Sequence, residues 1–459
     1  MNNKIIAALV ALIIIVAGVG AYCIISGNDE SEDKHLLADD YALQIYGNAN
    51  GDWAVDEKDI EYLKKIISGD EEKTEFADAN NDGTIDQKDI DKVQGIINRT
   101  TDSMYMLDGS GKKIKTTLDP QRIAADYLPN AELLNILEIS DRVVAVDKAP
   151  YDLREFYYMN HPDKDSIVCF GANNGANLNV EVVADAKADV WLTFTTANYD
   201  DKVNAIPNGN VVYLGLNKAD ITDPYRSTSI QGFLKAGYIF DKVERAEDYV
   251  EWLLDIYENI NGVTENISDD QKPYAYFLWY GHYVTGATND IRGFAKSDPL
   301  SQACMLAGGR CITELNENIW LHSSDYMQID PEWVADHADL IDYVFAHSVK
   351  ISGNGSMNAE VPNNGYLCDD PSEFEDAQKH MATVDIFSGI DPNNMYCISG
   401  DFRNNGTGSM LLAVYLAKLF HPDLFPDLDP VAIHQTYISE WLGFQNYDLS
   451  KQGVFFLME

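Results

Sequence analysis

Positive charge is scarce in this chain. Its 459 residues hold 33 Lys and Arg against 74 Asp and Glu, a formal net charge of −41. Such a surface repels phosphate backbones, so nucleic acid is excluded as a partner, and an anionic ligand is disfavoured unless local Arg residues collect it. Cysteine is sparse as well. Beyond the first 26 residues only Cys169, Cys304, Cys311, Cys368 and Cys397 remain, an odd set without a C-x-x-C pair. A zinc knuckle and a disulfide-stapled fold are therefore not indicated; one or two disulfides with at least one free thiol stay open. The nucleophile elbow G-x-S-x-G, the zinc motif H-E-x-x-H, the Walker loop and the dinucleotide fingerprint G-x-G-x-x-G are all missing. Acidic pairs are plentiful in so acidic a chain and identify no hydrolase by themselves. The expectation is a protein that is not an enzyme.

What is present begins with apolar material. A hydrophobic content of 46% in a chain this long supplies more than one core. From Ile5 to Ile25 no residue is charged, and as a helix that stretch is about 31 Å long, enough to cross a bilayer. Lys4 precedes it, and Asp29, Glu30, Glu32 and Asp33 follow. The positive-inside rule then puts the N-terminus in the cytoplasm and the rest outside. Residues 1–26 are expected to be a transmembrane anchor or signal, the anchor favoured because a signal peptide has a shorter apolar region. An acidic linker follows at 27–41. The expected location is the cell membrane, single-pass, with the bulk of the chain extracellular. Cys23 sits behind the bulky Tyr22, which fits a lipoprotein pattern poorly, and reads as a membrane-embedded Cys. Asn98-Arg-Thr100, Asn266-Ile-Ser268, Asn354-Gly-Ser356 and Asn405-Gly-Thr407 are glycosylation triplets.

Behind the anchor, hard oxygen donors recur at fixed spacing. Asp78, Asn80, Asp82, Asp86 and Asp89 occupy positions 1, 3, 5, 9 and 12 of a loop, with Gly83 at position 6 and the Thr84 carbonyl at position 7. That spacing wraps oxygens around one Ca²⁺. Asn48, Asn50, Asp52, Ala54 (through its carbonyl), Asp56 and Asp59 repeat the pattern 30 residues earlier, with Asn at position 1 and Trp53 at position 6. Trp53 is expected to need a positive φ, and Asn48 lowers the ligand charge, so the first site is expected to be weaker or empty. Each loop leads into an amphipathic stretch, from Ile60 and from Ile90. Paired loops that close on Asp, with one helix after each, resemble the type I dockerin module over about residues 42–100. The resemblance implies a small all-α calcium-binding domain and a cohesin-domain protein as partner, met through loop positions 10 and 11, here Glu57, Lys58, Gln87 and Lys88. A calcium-stapled stalk without a partner is the alternative. Residues 101–117 read as a linker.

A second repeat lies further along. Glu181-Val-Val-Ala-Asp185 recurs 151 positions later as Glu332-Trp-Val-Ala-Asp336, each copy running into an apolar strand-like segment at Val190 and at Tyr343. A helix followed by a buried strand is half of a βαβ crossover, so two copies point to two α/β lobes. Pro120-Gln-Arg-Ile-Ala-Ala-Asp126, Ala131 to Leu137 and Asp141-Arg-Val-Val-Ala-Val-Asp147 read as strand, helix and strand. With Lys187-Ala-Asp189-Val190, Leu412 to Lys418, His421-Pro-Asp-Leu-Phe425 and Asp429-Pro430, they resemble the solute-binding proteins that serve ABC importers of iron-siderophore, haem and cobalamin.

The resemblance spans residues 118–459 and implies a two-lobed α/β fold bridged by one long helix: lobe one at 118–239, the helix at 240–262, lobe two at 270–459. Ala246, Tyr249, Val250, Leu253, Ile256 and Tyr257 lie on one helical face, with Asn261-Gly262 as the expected stop. It further implies that Glu181 and Glu332 dock on the permease subunits and that the ligand lies between the lobes, at loops following strand C-termini. Tyr151, Phe170, Phe194, Tyr280, His282, Tyr326 and Arg403 are the candidate ligand contacts. Flat aromatic faces suit a ferric siderophore, haem or cobalamin better than a bare metal ion. The implied partners are an ABC permease and its ATPase. A dockerin-bearing extracellular enzyme acting on polysaccharide, or a surface adhesin, remain the alternatives.

Overall fold

The computed structural model describes residues 35–172, 178–284, 291–348, 361–403 and 406–458, apart from the side chains of His282 and Tyr283. The expected anchor at Ile5 to Ile25 lies outside these residues, and among them no helix is long and apolar enough to cross a membrane.

The two oxygen-rich loops each start a helix, α1 (Glu57–Ser68) and α2 (Gln87–Ile97). Asp56 and Asp86 cap them by accepting the backbone N–H of Lys58 and Lys88, and Asp59 and Asp89 close the capping boxes. Ile60 and Leu63 of α1 share a core with Ile90, Val93 and Ile96 of α2. The strain expected at Trp53 is absent. The first loop makes its left-handed turn at Gly51 (φ 77°), and the second at Asn81 (φ 58°) and Gly83 (φ 90°), while Trp53 is not among the residues with positive φ. Moving the turn to position 4 frees position 6, where the half-buried Trp53 ring packs on the core.

The linker expected at 101–117 is instead an antiparallel hairpin of β1 (Ser103–Leu107) and β2 (Lys113–Thr117). Alternate residues Met104, Met106 and Ile114 are buried, so the hairpin has a core face of its own. It joins the calcium-loop module through Tyr46 N–H to Tyr105 O and Leu107 N–H to Gln44 O, and the large domain through Gly109 N–H to Tyr213 O.

The large domain carries two parallel sheets. In the first lobe β3 (Ile123–Ala125), β4 (Val143–Val146), β5 (Val168–Cys169), β6 (Val190–Thr193) and β7 (Val211–Tyr213) are ordered β5-β4-β3-β6-β7. In the second lobe β8 (Tyr274–Trp279), β10 (Arg310–Cys311), β12 (Tyr343–Ser348) and β13 (Met395–Ser399) are ordered β10-β8-β12-β13, flanked by an antiparallel pair, β9 (Ile291–Phe294) and β11 (Tyr326–Ile329). The repeated sequence has a repeated place. In lobe one α3 (Leu128–Ile136) follows β3, α4 (Lys148–Asp152) follows β4, and α5 (Val180–Asp185) feeds β6 beside β3; in lobe two α9 (Pro331–Asp336) feeds β12 beside β8.

Two helices join the lobes: α6 (Thr228–Phe240), which ends where Asp241 turns left-handed (φ 58°), and the 22-residue α7 (Val243–Thr264). Asn261-Gly262 does not stop α7. A helical Gly costs about 1 kcal/mol relative to Ala, and the buried Ile260 and Thr264 on either side keep the helix packed through it. The lobes also touch directly. Phe156 of lobe one stacks on Tyr366 of lobe two at 3.9 Å between ring centroids, with Phe444 and Tyr447 edge-on at 4.8 and 5.5 Å.

Candidate functional site between the lobes

In both lobes the turns after parallel strands carry the polar and aromatic groups, as expected where ligands bind α/β sheets. In lobe one Asp126 follows β3. It accepts Phe194 N–H at 2.7 Å and Lys202 Nζ at 2.8 Å, in an ion pair whose side chains are both 0% exposed. Lys202 also donates to the Thr193 hydroxyl at 2.7 Å. The pair therefore fixes the chain where it leaves β6. Tyr127, next in sequence, sits at φ 68° and ψ 163°, a conformation costly for a side chain. Its N–H is held by Asp147 at 2.9 Å, and its ring stacks on Phe194 at 4.4 Å. Burial pushes the Tyr127 phenol up to about 12, with Arg403 pulling it down and Asp147 and Asp401 adding to the rise.

The facing wall belongs to lobe two. Trp279 ends β8, with Tyr326 of β11 at 4.4 Å from its ring. The Arg292 guanidinium lies 5.4 Å from Trp279 and 5.2 Å from Tyr326, and that of Arg403 lies 5.2 Å from Phe294 and 5.5 Å from Tyr326. Arg403 donates through Nε and Nη2 to Asp298 Oδ2 at 2.9 and 2.6 Å. Asp298 also caps α8 (Pro299–Leu306) through Leu300 N–H. Burial alone would lower the Arg403 guanidinium's pKa, and the Asp298 carboxylate more than reverses it. His347 lies beside Trp279 and Ile398 in the ladder; burial first, then the Arg403 charge, hold its imidazole down at about 3, so it is neutral.

Glu181 and Glu332 take matching positions. Each is the second residue of a six-residue helix, is exposed, and follows a side-chain cap, Asn179 accepting Glu181 N–H and Asp330 accepting Glu332 N–H. A carboxylate there also suits the helix dipole.

In the calcium-type loops the oxygens turn inward. Asp78 accepts Gly83 N–H at 2.9 Å, Asn80 accepts Asp82 N–H at 2.8 Å, and Asp89 accepts Asn80 N–H at 3.1 Å. The first loop repeats this with Asn48 accepting Gly51 N–H, Asp52 accepting Ala54 N–H and Asp59 accepting Asn50 N–H. Burial pushes the Asp59 carboxyl up to about 7, with Asp52 and Asp56 adding like charge. Lys58 lies 3.9 Å from Asp56, and Lys88 lies 3.1 Å from Asp82 and 3.7 Å from Asp86, yet acidic groups still outnumber basic ones in each loop, a balance that fits a hard cation. Among the described residues no three His, Cys, Asp or Glu side chains are placed to hold a metal ion by themselves, so calcium would also draw on Asn side chains and on the Ala54 and Thr84 carbonyls.

Residues 46–98 match the model of the dockerin type I domain. No curated protein matches the sequence. Among solved structures, the TroA-like periplasmic binding protein FepB from Veillonella parvula is 15% identical at a TM-score of 0.59, over 77% of this chain and 99% of that one. The molybdate periplasmic binding protein MolA from Haemophilus influenzae, bound to molybdate, is 14% identical at 0.54, over 74% and 98%. Helicobacter pylori CeuE with Ni(II) bound is 14% identical at 0.51, over 74% and 96%. The large domain has the periplasmic binding protein fold.

Within that fold the sequence-derived contacts divide. Tyr326 and Arg403 come together in lobe two, and Phe194 stacks in lobe one on Tyr127, whose phenol feels the Arg403 charge. Tyr151 is half-buried, with the Arg154 guanidinium 4.5 Å from its ring. Phe170 is a correction: it is fully buried, edge-on to Trp191 at 5.0 Å, in the outer core of lobe one. Tyr280 is another, being 6% exposed in the core with Leu278 and Val284. Side chains alternate along a strand, so Trp279 faces the cleft and its neighbours do not. The His282 side chain lies outside the described residues. Tyr127, Trp279, Arg292, Asp147 and Asp298 were missed by sequence reasoning. Asp126-Tyr127 and Asp147 each directly follow a predicted strand, a signal that could have found them. The five described cysteines are all free thiols.

Proposed function

We propose that this chain is a membrane-anchored extracellular solute-binding protein that captures a metal complex between its lobes and delivers it to an ABC importer whose permease and ATPase are other chains. The observation that carries the reading is the matched pair of capped helices presenting Glu181 and Glu332, one per lobe, at the same place in an internal repeat. Two exposed carboxylates held on rigid helices address two basic pockets of a permease dimer, fixing orientation and raising the encounter rate. Periplasmic delivery systems are what the similar folds belong to.

The cleft favours a flat, anionic chelate such as a ferric siderophore or haem, with cobalamin the neutral-edged alternative. Tyr127 and Phe194 offer aromatic faces from one side, Trp279 and Tyr326 from the other, and the guanidinium of Arg292, with that of Arg403 already balanced by Asp298, lies against the Trp279 and Tyr326 rings. The dockerin module adds a second attachment: calcium in its loops, and a cohesin-domain protein met through Glu57, Lys58, Gln87 and Lys88, all of which are exposed. The test is Tyr and Trp fluorescence of the chain titrated with haemin, cobalamin and ferric siderophores, corrected for absorption. Saturable quenching by one of them is expected. Failure of all, together with hydrolysis of a polysaccharide panel, would replace the binder by a dockerin-borne enzyme.

A further inference from the structure

The two calcium loops are not equivalent in their surroundings. The tip of the second loop, Asn81, Asp82, Gly83 and Thr84, is exposed, and touches the rest of the chain through Lys113 Nζ on Asn81 Oδ1 at 2.8 Å. The first loop is pressed against α6. There the Tyr238 hydroxyl accepts Val55 N–H at 2.8 Å and lies 3.4 Å from the Val55 carbonyl, with both residues 5% exposed. Val55 is loop position 8, between Ala54, whose carbonyl is the position-7 ligand of the calcium reading, and Asp56. A tyrosine of the solute-binding domain thus holds the main chain of the loop one peptide away from a cation ligand.

The same helix grips the module at two further points. Gln231 accepts Gln44 N–H at 3.2 Å and donates to Ala42 O at 2.8 Å, and the buried Lys235 donates to Gln44 Oε1 at 2.9 Å. From the module side Arg99 pairs with Asp241 at 2.8 Å and donates to the Tyr238 carbonyl. All of this lies on α6 and its cap Asp241, immediately before α7, the longer of the two helices that join the lobes.

We infer that the first loop is an internal joint: a cation bound there and the docking of α6 stabilise one another through Tyr238, so that calcium supports the solute-binding domain as well as the dockerin module. The inference rests on the proposed calcium reading of the loops. A cation that draws the Ala54 carbonyl inward also fixes the Val55 peptide that Tyr238 requires, and by linkage Tyr238 must favour the cation by the same factor.

The experiment uses the full chain, stripped with chelator and titrated with Ca²⁺ by calorimetry and by thermal unfolding followed in the near-UV, for the parent, Tyr238→Phe and Asp82→Ala. Two sites are expected in the parent. Losing one buried hydrogen bond should weaken one of them about fivefold in Tyr238→Phe, with a smaller calcium-induced rise in the unfolding temperature of the large domain. Asp82→Ala should lose the other site and keep most of that rise. Two calcium ions bound, with Tyr238→Phe indistinguishable from the parent, overturns the joint and leaves the calcium reading standing. Uptake of calcium by the second loop alone overturns both the joint and the first-loop site.

Discussion

Asp298 is the residue at which stability and recognition can be separated. Its side chain is 0% exposed, it accepts both Nε and Nη2 of Arg403, and it caps α8. Asp298→Ala would leave a mostly buried guanidinium without its counter-charge, at a cost of about 3 to 5 kcal/mol, and would remove the cap, at about 1 kcal/mol more. Asp298→Asn keeps an oxygen for Leu300 N–H and should recover only the cap. Adding Arg403→Met to Asp298→Asn then removes the stranded charge, since neutral groups of similar shape often replace a buried ion pair at little cost. The double variant should return to within about 2 kcal/mol of the parent, yet bind no anionic chelate. Urea unfolding of the full chain, followed by Trp fluorescence at constant m, for the parent, Asp298→Asn, Arg403→Met and the double variant gives the four corners of the cycle. Ligand quenching at each corner gives the functional axis. The reasoning is refuted if Asp298→Ala unfolds within about 1 kcal/mol of the parent, or if the double variant still binds with parental affinity.

Three further outcomes are expected. Burial, reinforced by Asp401 and opposed by the Tyr157 hydroxyl that donates to it at 3.2 Å, holds the Glu132 carboxyl at about 8 against an ordinary 4.5, and Asp147 likewise reaches about 8. For an acid whose folded pKa is raised, stability is full below the unfolded value and is lost as pH climbs through the folded one. Urea midpoints should therefore fall between about pH 4.5 and pH 8, by up to about 1.4 kcal/mol per unit per group, and Glu132→Gln should flatten that slope; a midpoint that rises with pH would contradict it. Glu181→Lys combined with Glu332→Lys should abolish uptake while ligand affinity stays at the parental value, and unchanged uptake in that variant would sink the docking proposal. Tyr127→Gly relieves the positive-φ backbone, worth about 1 kcal/mol, but loses a ring packed on the core, worth about 3 kcal/mol with its stacking, so stability should fall by about 2 kcal/mol while ligand affinity falls about tenfold; equal affinity would remove Tyr127 from the site.

The sequence showed most where a local pattern dictates a local structure. Oxygen donors at fixed positions marked both calcium-type loops, and the repeated Glu phrase marked two helices that lie in the same place in their lobes. It failed where the answer depends on which face of an element points where. Phe170, Trp279 and Tyr280 are all aromatics at or next to strand ends, and only the register of the finished sheet turns Trp279 to the cleft and the other two to the cores. Arg403 was visible as an isolated cation near a strand end, but its partner Asp298 lies 105 positions away in sequence, beyond the reach of any spacing rule. The hairpin at 103–117 was hidden by its composition, since Lys, Thr and Ser on its outer face look like a linker until Met104, Met106 and Ile114 find a core.

The packing between the lobes limits how this cleft can work. Closure by a wide hinge would have to separate Phe156 from Tyr366, Phe444 and Tyr447, bending α7 and breaking the buried hydrogen bond between Tyr249 on that helix and Thr407 in lobe two. Stacked aromatic pairs contribute about 1 kcal/mol each beyond the area they bury, and a helix of this length has no Pro or π-bulge at which to fold. Large domain rotation is thereby disfavoured, and the separation of Glu181 from Glu332 is set by this interface rather than by the ligand. A permease that reads only that separation would engage the empty and the loaded protein alike. Under the proposed function, discrimination then has to come from the cleft itself, where Tyr127 is held off its relaxed backbone by Asp147 and Arg403 is held on a buried carboxylate, two side chains whose positions a ligand could change without moving a lobe.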